Sequence, residues 1–365
     1  MLAMAELLCA GVSHAPMFGY TDDHMADILR RHLVSERVPA DRKDPRNWPA
    51  RMLEEFGPHG ENALAMAAQE RERVIGAYRQ VRREIDAFKP DVVLIWGDDQ
   101  YENFHEDLVP AFCVYAGAEY QTQPFLRTGW AMGQPDNVWG EPRDKTFTVK
   151  GHPGAGRYLA RRLLEEDRPV AYAYKPLHHP GLAHAFMNTV MYLDYDREGF
   201  DYPVLPFHVN CYGSDLIRNH GGDSIGKGTT EPDPPAPSPR LCFDVGAATA
   251  RIMQDSPWRA VLIGSSSWSH AFLTAKNNFL YPDVEADRRR YDELRAGNQH
   301  LWRDLPLYEI EASGQAEFLN WVCLAGAMTE LGIKAEVFDY TESYIFNSSK
   351  CTMVGRPAKV LAGVS

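Results

Sequence analysis

The chain lacks the marks of several large protein classes. Its six cysteines, Cys9, Cys113, Cys211, Cys242, Cys323 and Cys351, include no CxxC pair, which argues against a zinc knuckle or a dithiol redox centre. Most lie in apolar runs, as free thiols buried in a reducing compartment do. No apolar run approaches the roughly 20 residues that span a bilayer, and no basic stretch followed by an apolar one opens the chain. The expectation is a cytoplasmic protein with no membrane partner. Basic charge is short as well: 38 Lys and Arg against 50 Asp and Glu leave a formal net charge of -12. That balance disfavours nucleic acid as a partner.

A nucleotide fingerprint is also missing. The stretch from Gly221 to Thr229 superficially resembles a phosphate loop, but Gly228 follows Lys227 where a Ser or Thr should meet the magnesium ion. It lies in a polar segment and does not join a strand directly to a helix. No internal repeat and no low-complexity linker divides the chain, so residues 1–365 read as a single domain. Two stretches read as insertions, 22–61 and 213–239, and about 300–365 as a C-terminal extension. Long polar loops of this kind often serve as lids or binding loops.

What is there is an ordinary globular composition, 44% hydrophobic and 24% charged. Strands are predicted at 6–12, 91–96, 111–115, 170–174, 204–209, 260–263 and 335–337, several of them continuous apolar runs as in strands covered on both faces. Apolar residues at spacings of three and four predict a long helix over 62–88, through Val74, Ile75, Tyr78, Val81, Ile85 and Phe88. Further helices are read at 154–166, 245–254, 284–296 and 316–331. Strands alternating with helices imply an α/β fold with a mixed, mostly parallel central sheet flanked by helices.

In such a sheet, ligands bind beyond the carboxyl ends of the parallel strands. His14 stands there, in Gly11-Val12-Ser13-His14-Ala15-Pro16, and so does Gly97-Asp98-Asp99-Gln100. A lone histidine in a turn is more often simply hydrogen-bonded, so its company matters. The long helix leads into the second strand, and its N-terminus is expected at the same edge. That would carry His59, in Phe56-Gly57-Pro58-His59-Gly60, to the same place; the plain alternative is a helix-entry turn. His178, His179 and His184 crowd into seven residues before a strand ending in His208-Val209-Asn210. A buried strand breaks into Gly264-Ser265-Ser266-Ser267-Trp268-Ser269-His270, and an acidic helix start, Asp283-Val284-Glu285, follows. Two imidazoles and one carboxylate on one face of a metal are the ligand set of mononuclear non-haem iron(II) enzymes.

These segments resemble the class III extradiol ring-cleavage dioxygenases, the superfamily of the protocatechuate 4,5-dioxygenase catalytic subunit. The resemblance covers roughly residues 5–300. It rests on five ordered segments: SHAP at 13–16, PDVVLIWGDDQYENF at 90–104 followed by VPAF, LAHAF before PVLPFHVN, GSSSWSH at 264–270, and EADRR at 285–289. Gly97-Asp98-Asp99-Gln100 and the Glu317-Phe318-Leu319-Asn320-Trp321 helix draw it towards the gallate and 3-O-methylgallate branch.

The resemblance implies an Fe(II) enzyme with His14 as first ligand, Glu285 as carboxylate ligand and His184 as the histidine that moves protons. It departs at the second histidine ligand, where many members carry a His and this chain has Gln100. His59 is the expected substitute, with Gln100 or Asp99 binding directly and His105 behind them as the alternative. Gln100, Ser267 and Trp268 are expected at the substrate pocket, although Ser266–Trp268 also reads as a packed turn. His178, His179 and His208 read as structural or pocket-lining. The implied reaction opens the ring of a vicinal-diol aromatic or heteroaromatic with O2, in a homo-oligomer. Two other readings compete: a zinc hydrolase or lyase on the same fold, and a non-catalytic binding protein.

Overall fold

Four of the strands buried at every position, β1 (Leu7–Val12), β2 (Val92–Gly97), β7 (Val204–Val209) and β8 (Ala260–Ser265), adjoin one another in the sheet. Runs rich in Val, Leu and Ile with no polar–apolar alternation require cover on both faces, and these strands form the parallel centre of the sheet. The computed structural model describes residues 4–126, 136–179, 181–222 and 231–357. The remaining strands are β3 (Phe112–Tyr115), β4 (Glu119–Thr122), β5 (Phe147–Lys150), β6 (Ala171–Ala173), β9 (Glu336–Thr341) and β10 (Lys350–Gly355). The helices are α1 (Asp22–Ala26), α2 (Ile28–Val34), α3 (Ala50–Phe56), α4 (Ala63–Phe88), α5 (Pro153–Glu165), α6 (His184–Leu193), α7 (Pro239–Gln254), α8 (Val284–Ala296), α9 (Leu307–Ala312) and α10 (Leu319–Glu330).

Eight strands form one sheet in the order β6-β3-β7-β2-β8-β1-β10-β9, and β4 pairs with β5 apart from it. The four central strands run parallel, while β3 is antiparallel to β7 and β10 to β1. The α/β class with a mixed, mostly parallel sheet is therefore as the sequence predicts. The register aligns the carboxyl ends: Val12 opposes Ser265, Trp96 opposes Gly264, and Gly97 opposes His208. That common edge is where the chain leaves β1, β2 and β8 towards the polar segments singled out above.

Helices α4 and α6 pack together on one face, and α7 and α10 on the other. The second layer comes unusually close. A Cβ on Gly11 would stand 2.2 Å from a Trp321 ring carbon, one on Gly264 2.9 Å from Leu324 Cβ, and one on Gly246 1.8 Å from the Cys323 carbonyl oxygen. Glycine at these positions lets α10 lie directly on the sheet and on α7.

Three segments are set apart in the sequence. Residues 22–61 fold into α1, α2 and α3, with α1 and α3 packed on α4. The segment expected as a C-terminal extension supplies α10 to the core and continues the sheet through β10 beside β1. Within 213–239, turns form at Gly213–Asp215 and His220–Gly222, and residues 223–230 lie outside the described residues. No helix among the described residues is long and apolar enough to cross a membrane.

Candidate metal centre

His14 lies two residues past β1, fully buried. Its turn is tied down through the main chain: Tyr78 Oη donates to the Ser13 carbonyl at 2.6 Å, Asn188 Nδ2 to the His14 carbonyl at 3.0 Å, and Tyr192 Oη to the Ala15 carbonyl at 2.9 Å. The ring's tautomer follows from a chain of hydroxyls. Thr189 spends its one proton on the Ala185 carbonyl at 2.7 Å, so Ser265, 2.6 Å away, must donate to Thr189. Ser265 Oγ then accepts from His14 Nδ1 at 3.1 Å. The proton of neutral His14 sits on Nδ1, and Nε2 presents a lone pair, as in metal-ligating imidazoles.

Three more groups meet that lone pair. Asp98 follows β2 directly; its Oδ1 accepts from Asn320 Nδ2 of α10 at 3.0 Å and lies 3.6 Å from His14 Nε2. Glu317 sits on the single turn before α10, with Oε2 3.2 Å from His14 Nε2 and Oε1 accepting from Tyr212 Oη at 2.5 Å. His184 opens α6; its main-chain N–H and its Nδ1–H both donate to the Glu102 carboxylate, at 3.0 and 2.9 Å. One ligand atom from each of His14, Asp98, His184 and Glu317 lies within 4.8 Å of all the others.

Three buried atoms, His14 Nε2, Asp98 Oδ2 and Glu317 Oε2, make no hydrogen bond. Buried acceptors left without donors in one such cluster are a costly arrangement unless a cation joins them. Ligand atoms about 2.1 Å from a common metal stand about 3.0–3.5 Å apart, and the 3.2 Å between His14 Nε2 and Glu317 Oε2 matches that span. The charges agree. Burial and the neighbouring Glu317 push the Asp98 carboxyl well above the usual range. Burial also opposes ionisation of Glu317, but His270 and His14 outweigh it and hold that carboxyl low. Burial works against the His14 cation, and Asp98 and Glu317 override it, so its pKa is raised. The residues present fit a divalent cation, which would satisfy both carboxylates.

His270 brings a third imidazole. Its Nδ1 donates to the Trp268 carbonyl at 3.0 Å, and Nε2 faces Glu317 Oε2 at 3.4 Å. Beside the cluster a narrow crevice opens between His184, Tyr20, Phe125, Asn188 and Met191.

Two expected ligands stand elsewhere. His59 is exposed, its N–H bonded to Glu61. Helix α4 has 26 residues and β2 six. At 1.5 Å per residue the helix is about 39 Å long, against about 20 Å of strand, so its N-terminus overshoots the edge. Glu285 is exposed on the first turn of α8; the acid facing inward is Asp287, which accepts from the Ser269 N–H and from Gln315.

The other candidates also stand outside the cluster. Gln100 is buried but donates to Tyr212. Asp99 accepts from the main-chain N–H groups of Glu102 and Asn103, and His105 stacks on Tyr101 and His178. Ser267 is fully buried against Ser13, and Trp268 packs edge-on to Phe318 and Trp321; neither lines the crevice. Burial pushes His208 down to about 3, the state of a neutral core histidine. Sequence reasoning gave Asp98, Glu317 and His270 no ligand role. Glu317 carries a signal all the same, as the one charged residue between Glu311 and Glu330.

No family model matches the chain. A curated protein of Photorhabdus laumondii named 2,3-dihydroxyphenylpropionate/2,3-dihydroxicinnamic acid 1,2-dioxygenase is 23% identical over 208 residues, 57% of this chain and 52% of that protein. One of Dechloromonas aromatica with the same name, numbered 2, is 25% identical over 264 residues, 70% of this chain and 68% of its own length. A solved structure of an uncharacterised Escherichia coli K12 protein covers 77% of this chain and 91% of its own, with 10% identity and a TM-score of 0.46. The match spans about half the length of the first of these relatives. The chain thus resembles the class III extradiol dioxygenases in sequence, as its motifs indicate.

Proposed function

We propose that the chain is a metal-dependent dioxygenase that opens the ring of a vicinal-diol aromatic with O2, and that Fe(II) is the metal. The observation that carries this reading is the buried cluster of His14, Asp98, His184 and Glu317, in which His14 Nε2 and Glu317 Oε2 stand 3.2 Å apart with no hydrogen bond. Relatives named as ring-cleaving dioxygenases support it. His14, Asp98 and Glu317 would hold the metal, a ligand set of one imidazole and two carboxylates in place of the expected two and one. Bound there, Fe(II) supplies Lewis acidity towards adjacent hydroxyls and a template for diol and dioxygen.

The chain's own residues supply the rest. His184 lines the crevice and takes the hydroxyl proton at Nε2. Glu102 accepts from Nδ1–H on the other side of the ring, which fixes the tautomer and stabilises the imidazolium. Tyr20, Phe125 and Met191 form apolar walls for a flat ring. Asn188 bonds the His14 carbonyl and joins that wall to the metal turn.

The test is oxygen uptake by anaerobically reconstituted Fe(II) protein with a panel of catechol, gallate and dihydroxypyridine types. Uptake with one of them supports the reading; metal-loaded protein that consumes no oxygen with any vicinal diol overturns it. A zinc hydrolase or lyase is the second reading, since the imidazole and carboxylates of His14, Asp98 and Glu317 are also ligand types that hold zinc with a position left open. It is separated by activity that persists without oxygen.

A further inference from the structure

Gln100 stands where the resemblance places a metal-binding histidine, and the structure gives it a different task. Its Nε2 meets Tyr212 Oη, and Tyr212 Oη meets Glu317 Oε1 at 2.5 Å, all three side chains buried. The direction of the chain is forced. Ionised Glu317 can only accept, so the single phenolic proton lies on its side. The tyrosine oxygen is then left to accept, and the Gln100 amide must donate. Oxygen Oε1 of Glu317 is thereby occupied, while Oε2 remains turned towards His14 with no hydrogen bond.

We infer that Tyr212, with Gln100 behind it, is a positioning residue that confines Glu317 to one ligating oxygen. This rests on the reading that a metal occupies the cluster. A carboxylate free at both oxygens can bind a metal through two. Held at Oε1, it takes one position, and a neighbouring position stays open for a second oxygen ligand such as a substrate hydroxyl. Gln100 acts only through Tyr212, by keeping its proton pointed at the carboxylate. Groups behind metal ligands typically carry 10–100-fold in metal affinity.

The test uses Co(II) as the probe, titrated into the metal-free full chain against a competing chelator, with visible absorption recorded at saturation. Tyr212→Phe should weaken Co(II) binding by about 10–100-fold and lower the d–d absorption per Co(II), as a second carboxylate oxygen raises the coordination number. Gln100→Leu should show a smaller loss that disappears when made in the Tyr212→Phe background. The inference is overturned by Tyr212→Phe binding within twofold of the parent with an unchanged spectrum. Equal losses from Gln100→Leu in both backgrounds overturn the part given to Gln100. Gln100→Leu, which leaves the tyrosine ring in place, is the independent arm if Tyr212→Phe does not fold. Parent protein that takes up no Co(II), or takes it up undiminished as His14→Ala, overturns the underlying metal reading instead.

Discussion

Asp287 is the group whose pH dependence can be worked most directly from the structure. Its side chain is fully buried, and its Oδ1 accepts from the Ser269 N–H at 3.0 Å and Gln315 Nε2 at 2.7 Å. Burial outweighs those hydrogen bonds and pushes the carboxyl from 3.8 up to about 7. The folded chain therefore keeps a proton that the unfolded chain has lost, and stability falls as pH rises from about 4 to about 7. That rise corresponds to about 4 kcal/mol over the whole window, and about 3 kcal/mol of it falls between pH 5 and pH 8. Asp287→Asn keeps an oxygen for both donors and removes the charge. The variant should gain on the parent by about 3 kcal/mol between those two pH values. For a chain of this length that is about 4 °C in Tm, read by differential scanning of metal-free protein. A difference in Tm that stays constant from pH 5 to pH 8 would refute the reasoning, because a group ionised throughout cannot produce the slope.

Other perturbations test the frame around the site. His14→Ala and Glu317→Ala should abolish stoichiometric metal uptake, measured by elemental analysis, while His59→Ala and Glu285→Ala retain it. Gly246→Ala places a methyl against the Cys323 carbonyl oxygen and should separate α7 from α10. It should cost about 1–3 kcal/mol, about 1–4 °C in Tm, and weaken metal binding through Glu317 and Asn320. Lys350→Met leaves Glu70 without its buried partner, 2.5 Å away, and should cost about 3–5 kcal/mol in urea unfolding. The loss should be larger at pH 8 than at pH 5, since burial raises the Glu70 pKa and protonation relieves the stranded charge. Adding Glu70→Leu should restore much of it.

The sheet was legible in the sequence where strands are apolar on both faces, and the elements that were not legible have definite reasons. Helix α6 is buried at all ten positions, so it shows no polar face and no periodicity, and its N-cap is Ala183. Strand β10 begins with Lys350, an improbable residue for a buried strand until Glu70 of α4 is seen beside it. The strand-end rule located His14 and the Asp98 segment because it depends only on topology. The placement of His59 failed because it needed a helix length, and that of Glu285 because it needed the rotation of α8. Neither quantity is carried by a motif.

The same contrast explains why one carboxylate of the cluster, Glu317, comes from beyond residues 5–300. Two helices from opposite faces aim their N-terminal ends at one edge: α6 begins at His184 and α10 just after Glu317. The positive end of a helix favours anions, so Asp98, Glu102 and Glu317 can share a buried space beside it. For α10 to reach that edge it must lie on the sheet, and it does so because Gly11 and Gly264, opposed in register, leave room for Trp321 and Leu324. Asn320, one position before Trp321, then donates to both Asp98 and the Ser265 carbonyl. The glycines of β1 and β8 are thus part of the ligand geometry although none touches the site. Any side chain at Gly11 or Gly264 should disturb the His14, Asp98 and Glu317 cluster through the lateral displacement of α10, before it is felt in the sheet.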